Sequence, residues 1–527
     1  MSVRWTRRGV LSLAAGSAAT VLAACGGETV ATPTTVAAAR PTSPPLAGGT
    51  GGQTPVPAVA TTAPTAAMAA TGGQTPAAPA AASAPMATRA AGSAVAAAAT
   101  TAPIGMAGMT PLSTPNAGVR GTVRYWQVTP DDVNLPSAKY HEQWIASLPT
   151  TLPNVMFKEE LYSSNNLLDK LRVVLKAGQA PDMAALSVQW CPEFAATGVL
   201  QEINLADYGY SADKFWPGAL KSVTWEGKLY GIPVRNETMS FIYNKEIFQR
   251  AGLDPNKGPE TWEDVRTFSK QIKEKTGKAG FGMVAKLNAG NTPYRYLPLL
   301  WAYGGAIFDE TAENPKYERS TFDSPANVQA LDWMLDVYTS GAAPQASLTN
   351  TQIEVRDLFV SGEVAMMIDQ PVGYTLTRAK APSVAEQMNY VLMPKGPVRR
   401  AVAFGGASIV IFKGAKDFEA TKAVTRDLTS PLQSLRFGYE GSNPGNRDAF
   451  ALPEQQTRLK EIKFLDVATE MLQYGISFPA VPENADIVNL IVPQMIQDVL
   501  TKSKSSQQAA QDAAKKVNDL VAKRSRA

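Results

Sequence analysis

Histidine and cysteine are scarce in this chain of 527 residues, and their scarcity excludes several kinds of site. The single histidine, His141, excludes a metal site with two histidine ligands. A Ser-His-Asp triad would have to use the same histidine, and no nucleophile-elbow sequence accompanies it. The two cysteines, Cys25 and Cys191, exclude a disulfide-rich scaffold and a four-cysteine zinc site. We therefore expect neither a metal nor a cofactor.

Charge is scarce in one long part of the chain. Residues 26–118 contain only three charged side chains, those of Glu28, Arg40 and Arg89, and no aromatic residue. A stretch of Ala, Thr, Pro, Gly and Ser cannot bury enough apolar surface to offset its chain entropy, so we predict that it forms a disordered tether. The rest of the chain is close to neutral, and we therefore expect no binding to nucleic acid.

The N-terminus has the pattern of an export signal. Arg7 and Arg8 precede an apolar stretch that ends in Leu-Ala-Ala-Cys, and this stretch is shorter than the roughly 20 residues that span a bilayer as a helix. Residues 1–25 resemble a lipoprotein signal peptide in which Cys25 is lipidated, and the paired arginines resemble a twin-arginine signal. General export, or a plain signal peptide with a chance cysteine, is the alternative. Cys191 would then be the lone thiol of the mature protein, and we expect it to be a small buried core residue.

Beyond the tether, strand and helix patterns alternate. Apolar runs predict strands at 121–127, 182–186, 239–243, 364–368, 390–393 and 407–412. Helical periodicity covers 166–176, 261–276, 327–338, 420–429, 459–472 and 487–500. The helix at 261–276 has Thr261 as N-cap, Asp264 in a capping box and Gly277 as its stop. The alternation predicts an α/β protein with mainly parallel sheets, and its length predicts two lobes.

Seven short motifs occur in a fixed order along this region, and together they carry a resemblance. They lie at 170–182 (a helix, then Gly-x-x-Pro-Asp), 194–200, 230–245, 252–264, 303–305, 359–367 and 405–408. In this order they resemble the extracellular solute-binding proteins of ABC importers, specifically the sugar-binding group of maltose-binding protein. The resemblance covers residues 121 to about 500.

The resemblance implies a two-lobe periplasmic-binding-protein fold with two or more hinge crossovers and a ligand cleft between the lobes. The N-terminal lobe would comprise 119–236, the C-terminal lobe 237–403, and 404–438 would return to the N-terminal lobe. Residues 439–527 would complete the C-terminal lobe with terminal helices. Binding of the ligand would close the hinge.

The function implied is that of a substrate-binding subunit that captures an extracellular solute, most simply a carbohydrate, and delivers it to a membrane permease. We expect a monomer anchored outside the cytoplasm through lipid on Cys25. A peptide or other small polar solute, or a role as a sensor partner, is the alternative. A more remote one is an extracellular carbohydrate-active enzyme, with Glu237 and Asp369 as paired carboxylates.

Candidate ligand contacts follow the carboxyl ends of strands, where doubly wound sheets bind ligands. Sugars need aromatic faces and planar polar side chains. By strand position and family resemblance, the candidates are Trp126, Gln127, Tyr162, Asn165, Gln189, Trp190, Asn236, Glu237, Tyr294, Trp301, Tyr303, Asp369, Gln370, Gly405, Gly406 and Ser408. Core packing is the alternative for the aromatic residues. Two stacking positions of the family look aliphatic here, at Val372 and near Val488, which argues against a long maltodextrin ligand.

Overall fold

The computed structural model describes residues 86–90, 116–130, 132–287, 291–309 and 317–524. For residues 86–90 and for Ser164 and Asn165 it describes the backbone alone. The predicted signal peptide, with Arg7, Arg8 and Cys25, lies outside the described residues, as does most of the predicted tether. Residues 86–90 of the predicted tether form an edge strand paired with the strand at Asn154–Tyr162, so the prediction of disorder was wrong for these residues.

The strands belong to two main sheets and one short hairpin. They are β1 (Met86–Ala90), β2 (Arg120–Val128), β3 (Asn154–Tyr162), β4 (Met183–Ser187), β5 (Thr224–Trp225), β6 (Lys228–Leu229), β7 (Ile232–Glu237), β8 (Ser240–Asn244), β9 (Ala279–Phe281), β10 (Val364–Asp369), β11 (Met388–Val391), β12 (Val402–Ile411), β13 (Asn443–Pro444) and β14 (Gly475–Ser477).

Helices cover the faces of both sheets. They are α1 (Pro136–Thr151), α2 (Ser164–Lys176), α3 (Cys191–Ala196), α4 (Pro217–Ser222), α5 (Lys245–Arg250), α6 (Trp262–Thr276), α7 (Thr292–Ala302), α8 (Pro325–Thr339), α9 (Gln352–Val360), α10 (Val372–Lys380), α11 (Pro382–Gln387), α12 (Phe418–Leu428), α13 (Pro431–Arg436), α14 (Pro453–Glu461), α15 (Leu465–Glu470), α16 (Asn484–Asp486), α17 (Val492–Leu500) and α18 (Ser506–Arg524). Over the described part of the chain, none of them is both long and apolar enough to cross a membrane.

The larger sheet forms the N-terminal lobe, with the strand order β1-β3-β2-β4-β12-β7-β13. Strand β2 is parallel to β3 and β4, as α/β alternation predicts, whereas β12 is antiparallel to β4 and β7. The sheet is therefore mixed, and the expectation of mainly parallel sheets was wrong. The reason is that β12 enters this sheet from the other lobe and not through a helical crossover of its own.

The smaller sheet, β11-β8-β10-β9, forms the C-terminal lobe. Helices α6, α7, α8, α17 and α18 contribute to its large apolar core. Helix α6 begins after the N-cap Thr261, whose capping box with Asp264 is present, and it ends at Gly277 with φ of 72°. Its predicted ends are thus confirmed, because both depend on local hydrogen bonds.

One predicted helix is broken. The sequence pattern indicated a single helix over 459–472, but α14 ends at Glu461 and α15 begins at Leu465. Phe464 between them has a left-handed backbone with φ of 68°, which no helix continues through. The ring of Phe464 stacks on Tyr390 of the C-terminal lobe, with centroids 4.5 Å apart. We infer that this tertiary contact outweighs the local helical pattern.

The chain passes between the two sheets more than once. It leaves the N-terminal lobe between β7 and β8 and returns between β11 and β12. Beyond residue 438, where the sequence assigned the chain to the C-terminal lobe, β13 still pairs with β7. Helix α17 packs on α8 and α18 in the C-terminal lobe, so a further crossing follows β13.

Candidate ligand-binding cleft

A cavity of about 640 Å³ lies between the two lobes. Its volume falls in the range of roughly 300–1,000 Å³ that small-molecule sites occupy. The N-terminal lobe lines it with the carboxyl ends of β2, β4 and β7 and with the first turns of α1. The C-terminal lobe lines it with residues at the beginning of α7, α9 and α10. Strand ends and helix beginnings therefore meet at this cavity, as they do in other α/β ligand sites.

A polar network forms the floor of the cavity in the N-terminal lobe. The amide of Gln127 donates to Glu159 Oε1 at 2.6 Å, and His141 Nε2 lies 2.6 Å from the same oxygen. Tyr125 donates its hydroxyl to Gln127 Oε1 at 3.1 Å. Glu159 is 4% exposed. A buried carboxylate is costly unless it is hydrogen-bonded, so these partners offset the cost of burying it. The network holds the amide of Gln127 in place at the wall of the cavity.

The two lobes meet directly at Glu237. Its carboxylate lies 3.0 Å from Arg235 Nη2, and it accepts a hydrogen bond of 2.9 Å from Gln370 Nε2 of the C-terminal lobe. Glu237 and Gln370 were predicted as separate ligand contacts, and both line the cavity. The structure shows in addition that they bind each other, 133 positions apart in sequence.

Tyr294 lies at the wall of the cavity because Gly405 of β12 leaves room for it. A Cβ atom on Gly405 would lie 2.7 Å from Tyr294 Cε1, which is closer than side chains approach. The ring of Tyr294 packs edge-on against Phe478, with centroids 4.9 Å apart. Burial raises the pKa of the Tyr294 hydroxyl above its ordinary value, so the hydroxyl is protonated and available as a donor.

Five side chains of the cavity wall bury a polar atom that has no hydrogen-bond partner among the described residues. These atoms are Gln189 Oε1, Trp190 Nε1, Arg235 Nε, Asn291 Oδ1 and Gln352 Oε1. A buried polar atom without a partner costs about 1–3 kcal/mol. The cost is avoided when a polar solute or water supplies the partner. The set contains both donors and acceptors, as recognition of hydroxyl groups requires.

The structure brings seven of the predicted contact residues together at this cavity. They are Gln127, Gln189, Trp190, Glu237, Tyr294, Gln370 and Gly406. They come from both lobes, and all except Gly406, which lies within β12, are at or just beyond the end of a strand or the beginning of a helix. Position at a strand end was thus an informative signal.

Other predicted residues do not line the cavity, and strand geometry explains several of them. Trp126 precedes Gln127 in β2 and faces the opposite side of the sheet, since successive side chains of a strand alternate. It packs on Tyr162 with ring centroids 5.0 Å apart, inside the core of the N-terminal lobe. Asn236 alternates in the same way with its neighbours in β7, and it donates its amide to Pro444 O at 3.1 Å.

Most of the remaining candidates are buried in the protein core or contact other residues of the protein. Trp301 lies in the core of the C-terminal lobe, and Tyr303 packs against that core. Asp369 is 1% exposed and pairs with two arginines, and Ser408 is fully buried. Gly405 lies behind Tyr294. Asn165 lies in the first turn of α2, and its side chain lies outside what the structure describes.

Sequence reasoning missed the contribution of α1. Helix α1 lines the cavity with Ser137, His141 and Glu142, yet no helix was predicted at 136–151. The signal was available, because a helix that follows the carboxyl end of a strand points its N-terminus toward the ligand edge of the sheet. Arg295 and Lys286 of the C-terminal lobe were missed as well. They lie beyond any predicted strand end.

Comparison with known proteins identifies the class to which this fold and cavity belong. The model of the bacterial extracellular solute-binding proteins matches residues 157–431, which is more than half of the chain. The chain therefore belongs to this family, whose members bind solutes outside the cytoplasm and are not enzymes.

Individual relatives agree with that assignment. A putative binding protein of Brucella abortus is 23% identical over 65% of this chain and 80% of its own length. The mannitol-binding protein of Pseudomonas aeruginosa is 25% identical over 68% of this chain and 84% of its own. A solved ABC transporter solute-binding protein of Thermotoga lettingae, bound with α-D-tagatose, is 23% identical. It has a TM-score of 0.66 and covers 76% of this chain and 99% of its own. The last likeness confirms the two-lobe fold.

Proposed function

We propose that this chain is the substrate-binding subunit of an ABC importer and that its solute is a carbohydrate. The observation that carries the proposal is the wall of the cavity between the lobes. It combines aromatic side chains, Trp190 and Tyr294, with buried polar atoms that have no partner among the described residues. Aromatic faces pack on the C–H surfaces of a sugar, and amide and indole groups pair with its hydroxyls.

Two features of the comparisons support a sugar. One relative is named for mannitol, and a protein of the same fold was solved with tagatose. Both ligands are small polyhydroxylated molecules. Val372, an aliphatic residue at one of the family's stacking positions, lines the cavity and favours a short solute over a long maltodextrin. Val488 is buried in the core of the C-terminal lobe and does not line the cavity. Closure of the lobes over the solute would create the form that a membrane permease recognises.

The N-terminal segment supports a membrane-anchored receptor. Arg7 and Arg8 before the apolar stretch support twin-arginine export, and lipidation of Cys25 would retain the protein at the membrane surface. The part of the predicted tether before strand β1, residues 26–85, would as a flexible coil reach on the order of 40 Å. We expect a monomer, which moves on this tether between free solute and permease. In cell fractionation, Cys25→Ser should move the protein from the membrane to the soluble fraction.

The solute is tested by thermal unfolding of the full chain against sugars, polyols, peptides and polyamines. A ligand at about 100 times its Kd adds about 2.7 kcal/mol of stability, which raises the Tm by a few degrees. We expect a saturable rise with one class of sugar. Gln189→Leu should reduce it, because the variant removes a buried amide at the cavity wall. Gln473→Leu, at an exposed position, is the matched control and should keep it.

A rise with a peptide or polyamine, and none with any sugar or polyol, would contradict the carbohydrate proposal. The binding fold and the family would stand in that case. A rise with a sugar that Gln189→Leu leaves unchanged would place the sugar elsewhere than in this cavity.

A further inference from the structure

Three helices of the C-terminal lobe begin at the cavity. Asn291, the N-cap of α7, lines it, as does Thr351, the N-cap of α9. Gln370 and Val372 line it at the beginning of α10. A helix N-terminus carries a partial positive charge and backbone N–H groups without intrahelical partners. Glu354 caps α9, and the carboxylate of Asp369 lies beside Gly373 in the first turn of α10. The first turn of α7 has no acidic residue, so its N-terminus favours negative charge.

Arg295 is buried in the same wall, and each of its three nitrogens makes only a long hydrogen bond. The buried carboxylate of Asp369 is already bound by Arg356, whose nitrogens donate to it at 2.7 Å and 3.1 Å. Arg295 has three contacts, with Asp369 Oδ1 and with the carbonyls of Ile368 and Asn291, and each is 3.4 Å long. Ordinary N–H···O bonds are about 2.9–3.0 Å. The guanidinium is thus held only loosely by the protein.

Burial makes that arrangement unfavourable for the charge of Arg295. The side chain is 6% exposed, and desolvation lowers the pKa of the guanidinium to about 10 in spite of the nearby Asp369. Glu237 is the other carboxylate of this region, and it is bound by Arg235 and Gln370. An additional anion at the cavity wall would supply the short, charge-assisted bonds that Arg295 lacks.

A second cation lies on the same wall. Lys286 lines the cavity and is exposed. It forms no direct ion pair with a carboxylate of the described residues. The pKa of Glu354 is lowered chiefly by its hydrogen bond with Thr351 and in smaller part by the charge of Lys286. The opposite wall, in the N-terminal lobe, carries Glu142, Glu159, Glu237 and Glu440, and the arginine on that side, Arg235, is paired with Glu237. Carboxylates only accept hydrogen bonds, so that side suits the hydroxyls of a solute. The cavity is therefore cationic on one side and hydrogen-bond accepting on the other.

We propose that the solute is an anionic polyol, a sugar acid or a sugar phosphate, whose charged group lies against Arg295 and Lys286. Its hydroxyl groups lie toward the N-terminal lobe. This inference rests on the proposed carbohydrate function and narrows it to a charged class of sugar. Arginine is suited to the role, because its planar group can donate two parallel bonds to a carboxylate or a phosphate.

Titration calorimetry with matched pairs of sugars tests the inference. D-Galacturonate is compared with D-galactose, D-glucuronate with D-glucose, and glucose 6-phosphate with glucose, all with the full chain. We expect the anion of at least one pair to bind about tenfold or more tightly than its neutral partner. Whether the carboxylates or the phosphate show this preference distinguishes the two sources of charge. The preference should shrink as NaCl is added, since salt screens charge interactions.

Two variants locate the effect. Arg295→Gln should abolish the preference for the anion, and Lys286→Gln should reduce it by a few-fold. Lys275→Gln, a substitution of another exposed lysine, should leave it unchanged. Lys286 is exposed, so its variant keeps the test valid if Arg295→Gln proves unable to fold.

The outcomes separate this inference from the function on which it rests. If neutral sugars bind as tightly as their anionic partners, the inference is overturned and the carbohydrate function stands. An anion preference that survives both Arg295→Gln and Lys286→Gln would also overturn it. If no member of any pair binds, this inference is overturned, and the thermal-unfolding panel of sugars and polyols decides whether the carbohydrate function stands.

Discussion

Glu237 shows how one carboxylate can serve two lobes. It lies at the end of β7, immediately before the chain crosses to β8, and it binds Arg235 from its own strand and Gln370 from the other lobe. A charged group at a crossover would be costly if it were unpaired. Because its partners come from both sides, the charge stabilises the region where the lobes join.

Replacement of Glu237 should therefore destabilise the protein more than replacement of a surface glutamate. Glu237→Gln removes the charge that faces Arg235. The side chain of Arg235 is 34% exposed and that of Glu237 is 15% exposed. We expect the free energy of unfolding to fall by roughly 1–2 kcal/mol. The control is Glu202→Gln. Glu202 pairs with Lys228, and their side chains are 52% and 56% exposed, so this ion pair should contribute less than about 1 kcal/mol to the free energy of unfolding. Equal losses in urea unfolding would show that Glu237 is an ordinary surface residue.

Cys191 should be unreactive in the folded protein. It is 1% exposed in the core of the N-terminal lobe, and desolvation raises the pKa of its thiol to about 12. The thiolate is the reactive form, so at neutral pH neither access nor ionisation favours reaction. In a Cys25→Ser variant, a thiol reagent should label no cysteine under native conditions and Cys191 after denaturation. Rapid labelling of the native protein would contradict this.

At the scale of the element, β12 is the strand on which the cavity depends. It joins the two halves of the N-terminal sheet and carries Gly405 and Gly406. Gly406 has φ of 133°, and a Cβ atom there would lie 2.1 Å from the carbonyl oxygen of Arg235. Gly405 leaves space for Tyr294. Both glycines are therefore explained by close approach to neighbouring atoms, rather than by a turn.

A methyl group at Gly405 should displace Tyr294. Gly405→Ala places a Cβ atom 2.7 Å from that ring, and overpacking of this kind costs roughly 1–3 kcal/mol. We expect a lower Tm and, because Tyr294 lines the cavity, weaker binding of the solute. Gly414→Ala is the matched control, since no atom lies within 4 Å of its Cβ position. A Gly405→Ala variant with unchanged Tm and affinity would show that Tyr294 can move freely.

At the scale of the whole molecule, a second contact joins the lobes at α16. Asn484 donates its amide to Gln189 O at 3.2 Å, and Arg172 of α2 donates to Asp486 at 3.2 Å. Ala485 between them is buried in the apolar core of the N-terminal lobe. Helix α16 continues through residues 487–491 into α17 of the C-terminal lobe. The contact therefore favours the arrangement of lobes seen in the structure.

Loss of this contact should favour opening of the lobes. Asn484→Ala removes a fully buried hydrogen bond worth about 1 kcal/mol, so we expect a severalfold weaker apparent affinity for the solute. Without ligand, the backbone amides of α16 should exchange hydrogen faster in Asn484→Ala than in the unsubstituted protein. Asn256→Ala, at an exposed position, is the control. Unchanged exchange at α16 would mean that this contact does not hold the lobes together.

Part of the site followed from position along the chain. Gln127, Gln189, Glu237 and Gln370 lie at or just beyond the ends of strands and line the cavity, because ligands of α/β proteins bind at strand ends. Where two neighbouring residues of a strand were both predicted as contacts, one of them does not line the cavity. Successive side chains of a strand point to opposite faces, so only one of the two can face the cavity. Trp126 and Asn236 are examples: each is buried next to a residue that lines the cavity.

The sequence by itself determined the features that depend on short stretches of chain. The seven ordered motifs determined the family, and local capping determined where α6 begins and ends. Tertiary structure alone decided which distant groups meet. Glu237 binds Gln370, Asn484 binds Gln189, and Arg295 shares Asp369 with Arg356. The physical reason is that caps and motifs are stabilised by neighbours in sequence, whereas the charge and shape of the cavity arise where two lobes bring together residues that no local pattern links.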